Sequence, residues 1–132
     1  MEIKNLELQT GVEIFKAFSD EARVRIVHLM FKTEEMCVSD LEMILDYTQT
    51  KTSRHLTYLR NAQLVKYKKV DQWIYYSMNE AYLKIIAQLF TFLEGDLLLQ
   101  RDLQEYRTLY SNNELAIRKL HMKQNKYKVP ML

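Results

Sequence analysis

The chain has 132 residues, of which 48% are hydrophobic and 27% are charged, and its formal net charge is +2. These values predict one folded domain and exclude an intrinsically disordered chain. The apolar runs are too short for a transmembrane helix and the first residues do not resemble a signal peptide, so we expect no membrane partner and a cytoplasmic location. The single cysteine excludes an intrachain disulfide, and two glycines are too few for a phosphate-cradling loop.

The first part of the chain predicts two helices. Apolar residues over 3–18 follow a helical pattern, which predicts a first helix that either continues through Gly11 or breaks there. Ser19 is expected to cap a second helix that runs to about Phe31, because acids follow it in the first turn. The residues expected on the inner face of that second helix are Ala22, Ile26, Val27, Leu29 and Met30.

A short helix, a tight turn and another helix are predicted next. Ser39 and Glu42 have the spacing of a capping box and open a helix that ends near Leu45. After the turn, Thr48 is expected to cap a helix over residues 48–61. Two helices joined in this way predict a helix-turn-helix.

A β-hairpin is predicted after the helix-turn-helix. Residues 64–70 and 73–78 are rich in β-branched and aromatic side chains, and Asp71 and Gln72 lie between them. Residues 36–38 predict a further short extended segment. The fold class is therefore mainly α with a small β-hairpin wing.

The helix over residues 48–61 has one apolar face and one polar face. At about 100° per residue, Thr52, Leu56 and Leu59 share the inward side, with His55 at its margin. The opposite side carries residue types that hydrogen bond base edges in the DNA major groove. A solvated polar face is the simpler explanation for one such helix, but the helix-turn-helix and the basic hairpin favour base reading. The candidate base-reading residues are Gln49, Thr50, Ser53 and Arg54.

The segment from Tyr47 to Val70 contains six lysines and arginines and no acid, which favours a double-stranded DNA partner. The hairpin lysines could be plain exposed strand residues, but their closeness to the polar helix favours contacts with phosphates. The candidate phosphate-contacting residues are Lys51, Arg60, Lys66, Lys68 and Lys69.

Four segments resemble, in the right order, those of a known family. They are Ser19-Asp20-Glu21-Ala22-Arg23-Val24-Arg25-Ile26, Met36-Cys37-Val38-Ser39-Asp40-Leu41, Thr48 to Leu56 with Leu64-Val65, and Trp73-Ile74-Tyr75-Tyr76. The chain is similar here to the ArsR/SmtB-type winged-helix repressors, over roughly residues 12–93. The resemblance implies a winged helix-turn-helix, a homodimer built from the first and last long helices, and operator binding relieved by a ligand.

The usual metal sites of that family are not recognisable. Members that sense soft metals carry two cysteines at the positions of Cys37 and Ser39, and one thiolate cannot form a closed site. Residues 80–110 contain no histidine of the kind that zinc-sensing members use there. We therefore expect no metal and no other cofactor. The effector is an open question, either a small molecule or a redox signal, although Cys37 is more simply a small buried apolar residue.

The three histidines are isolated from one another in the sequence. His28 is expected to be a packing or surface residue. His55 either packs against a neighbouring helix or meets a phosphate. His121 lies in the tail without a second ligand.

Residues 79–109 predict one long helix, because apolar residues recur every three or four positions. Its surplus apolar surface either extends the dimer interface or covers a pocket for an apolar ligand, and a dimer suits a two-fold operator better. The residues expected at the interface are Phe15, Leu83, Ile86, Phe90, Leu93 and Leu97.

The expected domain organisation is a DNA-binding and dimerisation domain over residues 1–110 and a basic C-terminal tail over 111–132. The tail, which includes Arg118, Lys119, Lys123, Lys126 and Lys128, either folds back over the dimer or adds phosphate contacts.

The predicted function is a sequence-specific transcriptional regulator, a repressor that binds a palindromic operator as a homodimer. No assembly of nucleophile and base or of paired carboxylates predicts an enzyme. The alternative is a winged-helix protein-interaction module without operator specificity, which would carry apolar residues on the outward face of the 48–61 helix.

Overall fold

The computed structural model describes residues 6–127, and side chains as far as residue 125. Its elements are α1 (Leu8–Ala17), α2 (Glu21–Thr33), β1 (Glu35–Cys37), α3 (Val38–Leu45), α4 (Gln49–Asn61), β2 (Val65–Val70), β3 (Trp73–Met78), a 3₁₀ turn (Glu80–Tyr82), α5 (Leu83–Thr91), α6 (Leu97–Ser111) and α7 (Ala116–Tyr127). The expected start of the first helix at residues 3–5, the residue Lys128 and the Lys126 side chain lie outside the described part. None of the described helices is long and apolar enough to cross a membrane.

The predicted helix-turn-helix is confirmed as α3 and α4. Asp46 ends α3 in the left-handed conformation, with φ of 57°, and this turns the chain sharply. The Thr48 hydroxyl then accepts a hydrogen bond from the Lys51 backbone N–H at 3.1 Å, as expected of a cap. The described part of the first helix runs through Gly11 without a break.

Two of the predicted helix caps are wrong. The α2 cap is Asp20, whose carboxylate accepts from the Ala22 backbone N–H at 2.8 Å, whereas the Ser19 hydroxyl donates to the Lys16 carbonyl. Ser39 does not cap α3, because Cys37 still pairs in a strand and the helix begins at Val38. The strand leads directly into the helix, so Ser39 already lies in the first turn.

The sheet has three antiparallel strands in the order β1-β3-β2. The predicted hairpin is confirmed, and Asp71 adopts φ of 56° at its turn. The extended segment around residue 36 pairs with β3, with Cys37 opposite Tyr75. Local sequence predicted the extension of this segment but not its partner, which is distant in the chain.

The prediction of one helix over residues 79–109 is wrong. A 3₁₀ turn opens this region, α5 ends at Thr91, and α6 begins at Leu97 after a turn containing Gly95. The Asp96 carboxylate caps α6 by accepting from the Leu99 backbone N–H at 3.0 Å. Each of the two helices buries one face, so the spacing of apolar residues continues across the break. After the turn, α6 packs on α2 and α3.

Part of the predicted dimer interface lies inside the single chain. Ile86 and Phe90 are buried in the core, and Leu83 is half-buried. Phe15 and Leu97 remain 69% and 75% exposed, and Leu93 is 39% exposed. Ile86 and Phe90 have no surface left to offer a second chain.

The described part of the predicted tail forms α7, which packs on β1 and α3. Leu115, Ile117 and Leu120 join the same core as the rest of the domain. The buried Asp40 carboxylate accepts from the Ala116 and Ile117 backbone N–H groups at 2.7 and 3.1 Å. A carboxylate at a helix N-terminus is favourable because of the helix dipole, so Asp40 anchors α7 to α3.

Candidate nucleic-acid interface

The buried side of α4 contains the four residues predicted to face inward: Thr52, His55, Leu56 and Leu59. Arg23 of α2 contacts α4 through two side chains. Its guanidinium lies 4.0 Å from the centre of the Tyr58 ring and 3.4 Å from His55 Nδ1. The same guanidinium donates to the carbonyls of Ala17 and Lys16, both at 3.0 Å. One side chain therefore ties the end of α1 and the start of α2 to α4.

His55 is a packing residue in this arrangement. Its side chain is buried, and its Nε2 lies 4.0 Å from an Asp20 carboxylate oxygen. Burial lowers the pKa of His55, and the nearby cations Arg23, Arg54 and Lys51 lower it further, against the opposing effect of Asp20. A neutral buried imidazole adds no positive charge to the surface, which makes it a poor phosphate ligand.

The outward side of α4 carries the predicted base-reading residues. Gln49, Thr50 and Arg54 are exposed and Ser53 is half-buried. Within the described chain, none of these four side chains hydrogen bonds to a protein group. Their donors and acceptors are therefore free for a partner.

Lys51 lies at the flank of this surface. Its ammonium sits 4.0 Å above the centre of the Tyr47 ring. The Tyr47 hydroxyl in turn accepts a hydrogen bond from Arg25 Nη1 at 2.9 Å. The lysine is thus positioned by a cation–π contact beside the turn that precedes α4.

The wing divides its lysines between two faces. Side chains alternate along β2, so Lys66 and Lys68 lie on one face and Tyr67 and Lys69 on the other. Lys66 is ion-paired with Glu80, and Lys68 Nζ lies 3.2 Å from a Glu35 carboxylate oxygen.

The other face of the wing continues the basic surface of α4. The Arg60 guanidinium lies 5.2 Å from the centre of the Tyr67 ring, and Lys69 is exposed on the same face. The sequence analysis missed the two acids that form ion pairs with Lys66 and Lys68. The register of the strands would have revealed them. Lys66 pairs with Ser77, three residues before Glu80, and Glu35 pairs with Ser77 from the other side of β3.

The segment that contains Cys37 and Ser39 does not resemble an exposed sensor. Cys37 is 2% exposed, and its Sγ lies 3.0 Å from the Ser39 hydroxyl oxygen. Burial raises the pKa of the Cys37 thiol, and the Asp40 charge raises it further. Over residues 6–127 no group of three or more histidines, cysteines or acids is arranged to hold a metal ion.

A helix-turn-helix followed by a β-hairpin with an added third strand defines a winged helix-turn-helix protein. Residues 20–67 match the family model described as bacterial regulatory protein, arsR family. The arsenical resistance operon repressor of Bacillus subtilis (strain 168) is 34% identical over 79 residues, which cover 60% of this chain and 75% of that protein. The chain belongs to the arsR family.

Other comparisons agree with this assignment. The arsenical resistance operon repressor of Escherichia coli (strain K12) is 40% identical over 68 residues, covering 52% of this chain and 58% of that protein. The structure of HlyU from Vibrio cholerae N16961 superimposes with a TM-score of 0.59 at 28% identity, covering 66% of this chain and 97% of that one. The chain spans about three fifths of the length of the first curated relatives that it matches.

Proposed function

We propose that this chain is a transcriptional repressor that binds double-stranded DNA sequence-specifically through α4. The observation that carries the proposal is the outward side of α4, which is polar, basic, free of acids and free of internal hydrogen bonds. Two matched relatives are named as operon repressors. The four proposed base-reading positions, Gln49, Thr50, Ser53 and Arg54, carry no apolar side chain, which weighs against a protein-interaction module.

Gln49, Thr50, Ser53 and Arg54 are the proposed base-reading residues. All four lie in the N-terminal half of α4, which is the half of a recognition helix that enters the major groove. Glutamine can pair with adenine, arginine with guanine, and hydroxyls with several bases. Four side chains of this kind are enough to select a short half-site.

Lys51, Arg60 and Lys69 are the proposed phosphate contacts. Each lies beside the base-reading residues or on the wing face that continues from them. Lys66 and Lys68 take a secondary role, because Glu80 and Glu35 compensate their charges. Both lysine side chains are 52% exposed, and ion pairs with an exposed lysine are weak, so these two lysines stay available to a strong polyanion.

The DNA-binding form is proposed to be a homodimer. Leu8, Val12 and Phe15 recur at helical spacing on one exposed side of α1, and Phe92 and Leu97 are 88% and 75% exposed at the corner between α5 and α6. Large apolar groups exposed along one side of a helix, as on α1, mark an interaction surface. A two-fold dimer places its recognition helices about 34–36 Å apart, which requires a palindromic operator.

The proposed signal is not a soft metal ion. The matched relatives include arsenic and cadmium resistance regulators, and such ions prefer several thiolates. This chain offers one thiol, Cys37, which is buried and pairs with Ser39. A non-metal effector therefore fits the chain better.

The test is selection of binding sites from a random double-stranded DNA library, followed by titration of the selected sequence at several salt concentrations. We expect a two-fold symmetric site, a Kd tighter than about 10⁻⁷ M and a steep fall in affinity with salt. Enrichment of no sequence, or binding that salt does not weaken, would refute the proposal.

A further inference from the structure

A cavity of about 320 Å³ lies between α2, α5 and α6. Its apolar wall includes Phe31, Phe90, Leu99 and Leu103, and Ala87 lies at its edge. The volume is at the lower end of the range for small-molecule sites. None of the residues that line it belongs to α3, α4 or the hairpin, so it is separate from the proposed DNA-facing surface.

The polar anchor of this cavity is His28. The side chain lines the cavity and the residue is 7% exposed, yet its Nδ1 is buried and hydrogen bonds to no group in the described chain. Its ring meets the Phe90 ring edge-on, with centroids 5.0 Å apart. A buried polar atom without a partner is costly in a native protein, and it indicates a site that a ligand group can satisfy.

The charges around the cavity favour a neutral ligand. Burial lowers the pKa of His28, and the Lys32 ammonium lowers it further, while Asp102 and Asp96 oppose this. The imidazole is therefore neutral at physiological pH. Glu94 also lines the cavity, so Lys32 does not create an unopposed positive field for an anion.

We propose that this cavity binds a small neutral aromatic molecule bearing a hydroxyl group, with the hydroxyl hydrogen bonded to His28 Nδ1 and the ring against Phe31 and Phe90. A phenolic hydroxyl both donates and accepts, so it can pair with either tautomer of a neutral imidazole. The two phenylalanine rings lie tilted at a centroid distance of 5.7 Å and offer edge and face contacts to a third ring. This site requires no DNA, so its test is independent of the proposed repressor function.

The experiment is calorimetric titration of the full chain with phenol, toluene and benzoate. We expect saturable binding of phenol with a Kd on the order of 0.1–1 mM, as suits seven non-hydrogen atoms. Toluene, which has no hydroxyl, should bind about tenfold more weakly, and benzoate more weakly than phenol. A lack of phenol binding overturns the proposal, and so does tighter binding of benzoate, which would place the anchor at Lys32.

Two variants test the anchor and the location. His28→Leu should weaken phenol binding about tenfold and leave toluene binding unchanged, because only the hydroxyl loses a partner. Ala87→Phe adds a ring at the exposed edge of the cavity, where the fold can accept it, and should weaken both ligands at least tenfold. His121→Leu, which alters a histidine in α7, is the matched control and should change neither affinity.

Each other outcome contradicts the assignment. Equal phenol affinity in the His28→Leu and unaltered chains would show that the hydroxyl does not hydrogen bond to His28. Undiminished phenol binding by the folded Ala87→Phe variant would place the site elsewhere. Circular dichroism and the urea midpoint report whether each variant is folded, so a loss of binding cannot be confused with unfolding.

Discussion

Replacement of Arg25 by alanine should lower the free energy of unfolding by about 3 kcal/mol. The Arg25 Nε and Nη2 atoms donate to the two Asp102 carboxylate oxygens, both at 2.9 Å, and this pair joins α2 to α6. The Asp102 side chain is 4% exposed and that of Arg25 15%. The interaction with Asp102 raises the pKa of Arg25 further above its already high value.

The magnitude follows from what the substitution leaves behind. Removing one member of a buried ion pair costs about 3–5 kcal/mol, because the other charge stays buried without a partner. The partial exposure of Arg25 favours the lower end of that range. The loss of the Arg25 hydrogen bond to the Tyr47 hydroxyl adds about 1 kcal/mol at most.

The assay is urea unfolding followed by circular dichroism. With a slope of about 1–3 kcal/mol per molar urea, a loss of 3 kcal/mol moves the midpoint down by about 1–3 M. The double variant Arg25→Met with Asp102→Leu should recover most of the loss, because it removes both charges and keeps the volume. Lys68→Ala is the control, since its pair with Glu35, in which the lysine side chain is 52% exposed, contributes less than about 1 kcal/mol.

A loss below about 1 kcal/mol in Arg25→Ala would refute this reasoning, since it would mean that Asp102 finds water or another partner at no cost. A double variant as unstable as the single one would also contradict it. That result would assign the effect to lost packing between α2 and α6 rather than to an unpaired charge.

Three further predictions concern the DNA surface and α7. Arg54→Ala should weaken operator binding by about 1–3 kcal/mol and relax preference at one base position, measured by competition with substituted sites; an unchanged preference would contradict base reading. Lys69→Ala should weaken all sequences alike and reduce the salt slope by about one, whereas Lys68→Ala should do less because Glu35 compensates its charge; the reverse order would contradict the assignment of the wing faces. Burial raises the pKa of Asp40 above the ordinary 3.8 and outweighs the hydrogen bonds from Ala116, Cys37 and Ile117, which lower it. Folding stability therefore falls as pH rises from 3.8 through the folded-state pKa. Asp40→Asn removes this titration, and its urea midpoint relative to the unaltered chain should rise over that interval; parallel pH curves would contradict it.

Local patterns predicted the DNA-facing elements well, because those elements carry strong local signals. The Thr48 cap, the inward side of α4 and the hairpin turn at Asp71 all depend on residues within a few positions of each other. Cap positions were predicted less well. Asp20 rather than Ser19 caps α2. Ser and Asp are both good caps, so only the point at which the backbone enters the helix decides between these two adjacent residues.

The C-terminal half was predicted poorly because its order depends on distant contacts. Apolar residues recur with the same period in one long helix and in two helices that each bury a face. The sequence pattern therefore predicted a single helix where the structure has α5 and α6. Asp40 caps α7 from 76 residues away, a relationship that no local pattern records. Lys66 and Lys68 looked free until strand register brought Glu80 and Glu35 beside them.

The sequence by itself determined the class of this protein. Residue types along α4, the absence of acids from Tyr47 to Val70 and the order of elements were sufficient for a winged helix-turn-helix with a basic surface. These features are local, and side-chain chemistry plus helical periodicity is enough to read them. Only the tertiary structure decided which lysines keep their charge uncompensated and that α7 belongs to the core. It also placed His28, unpartnered, in the wall of a cavity between three helices. Each of those facts depends on how residues far apart in the chain pack against one another.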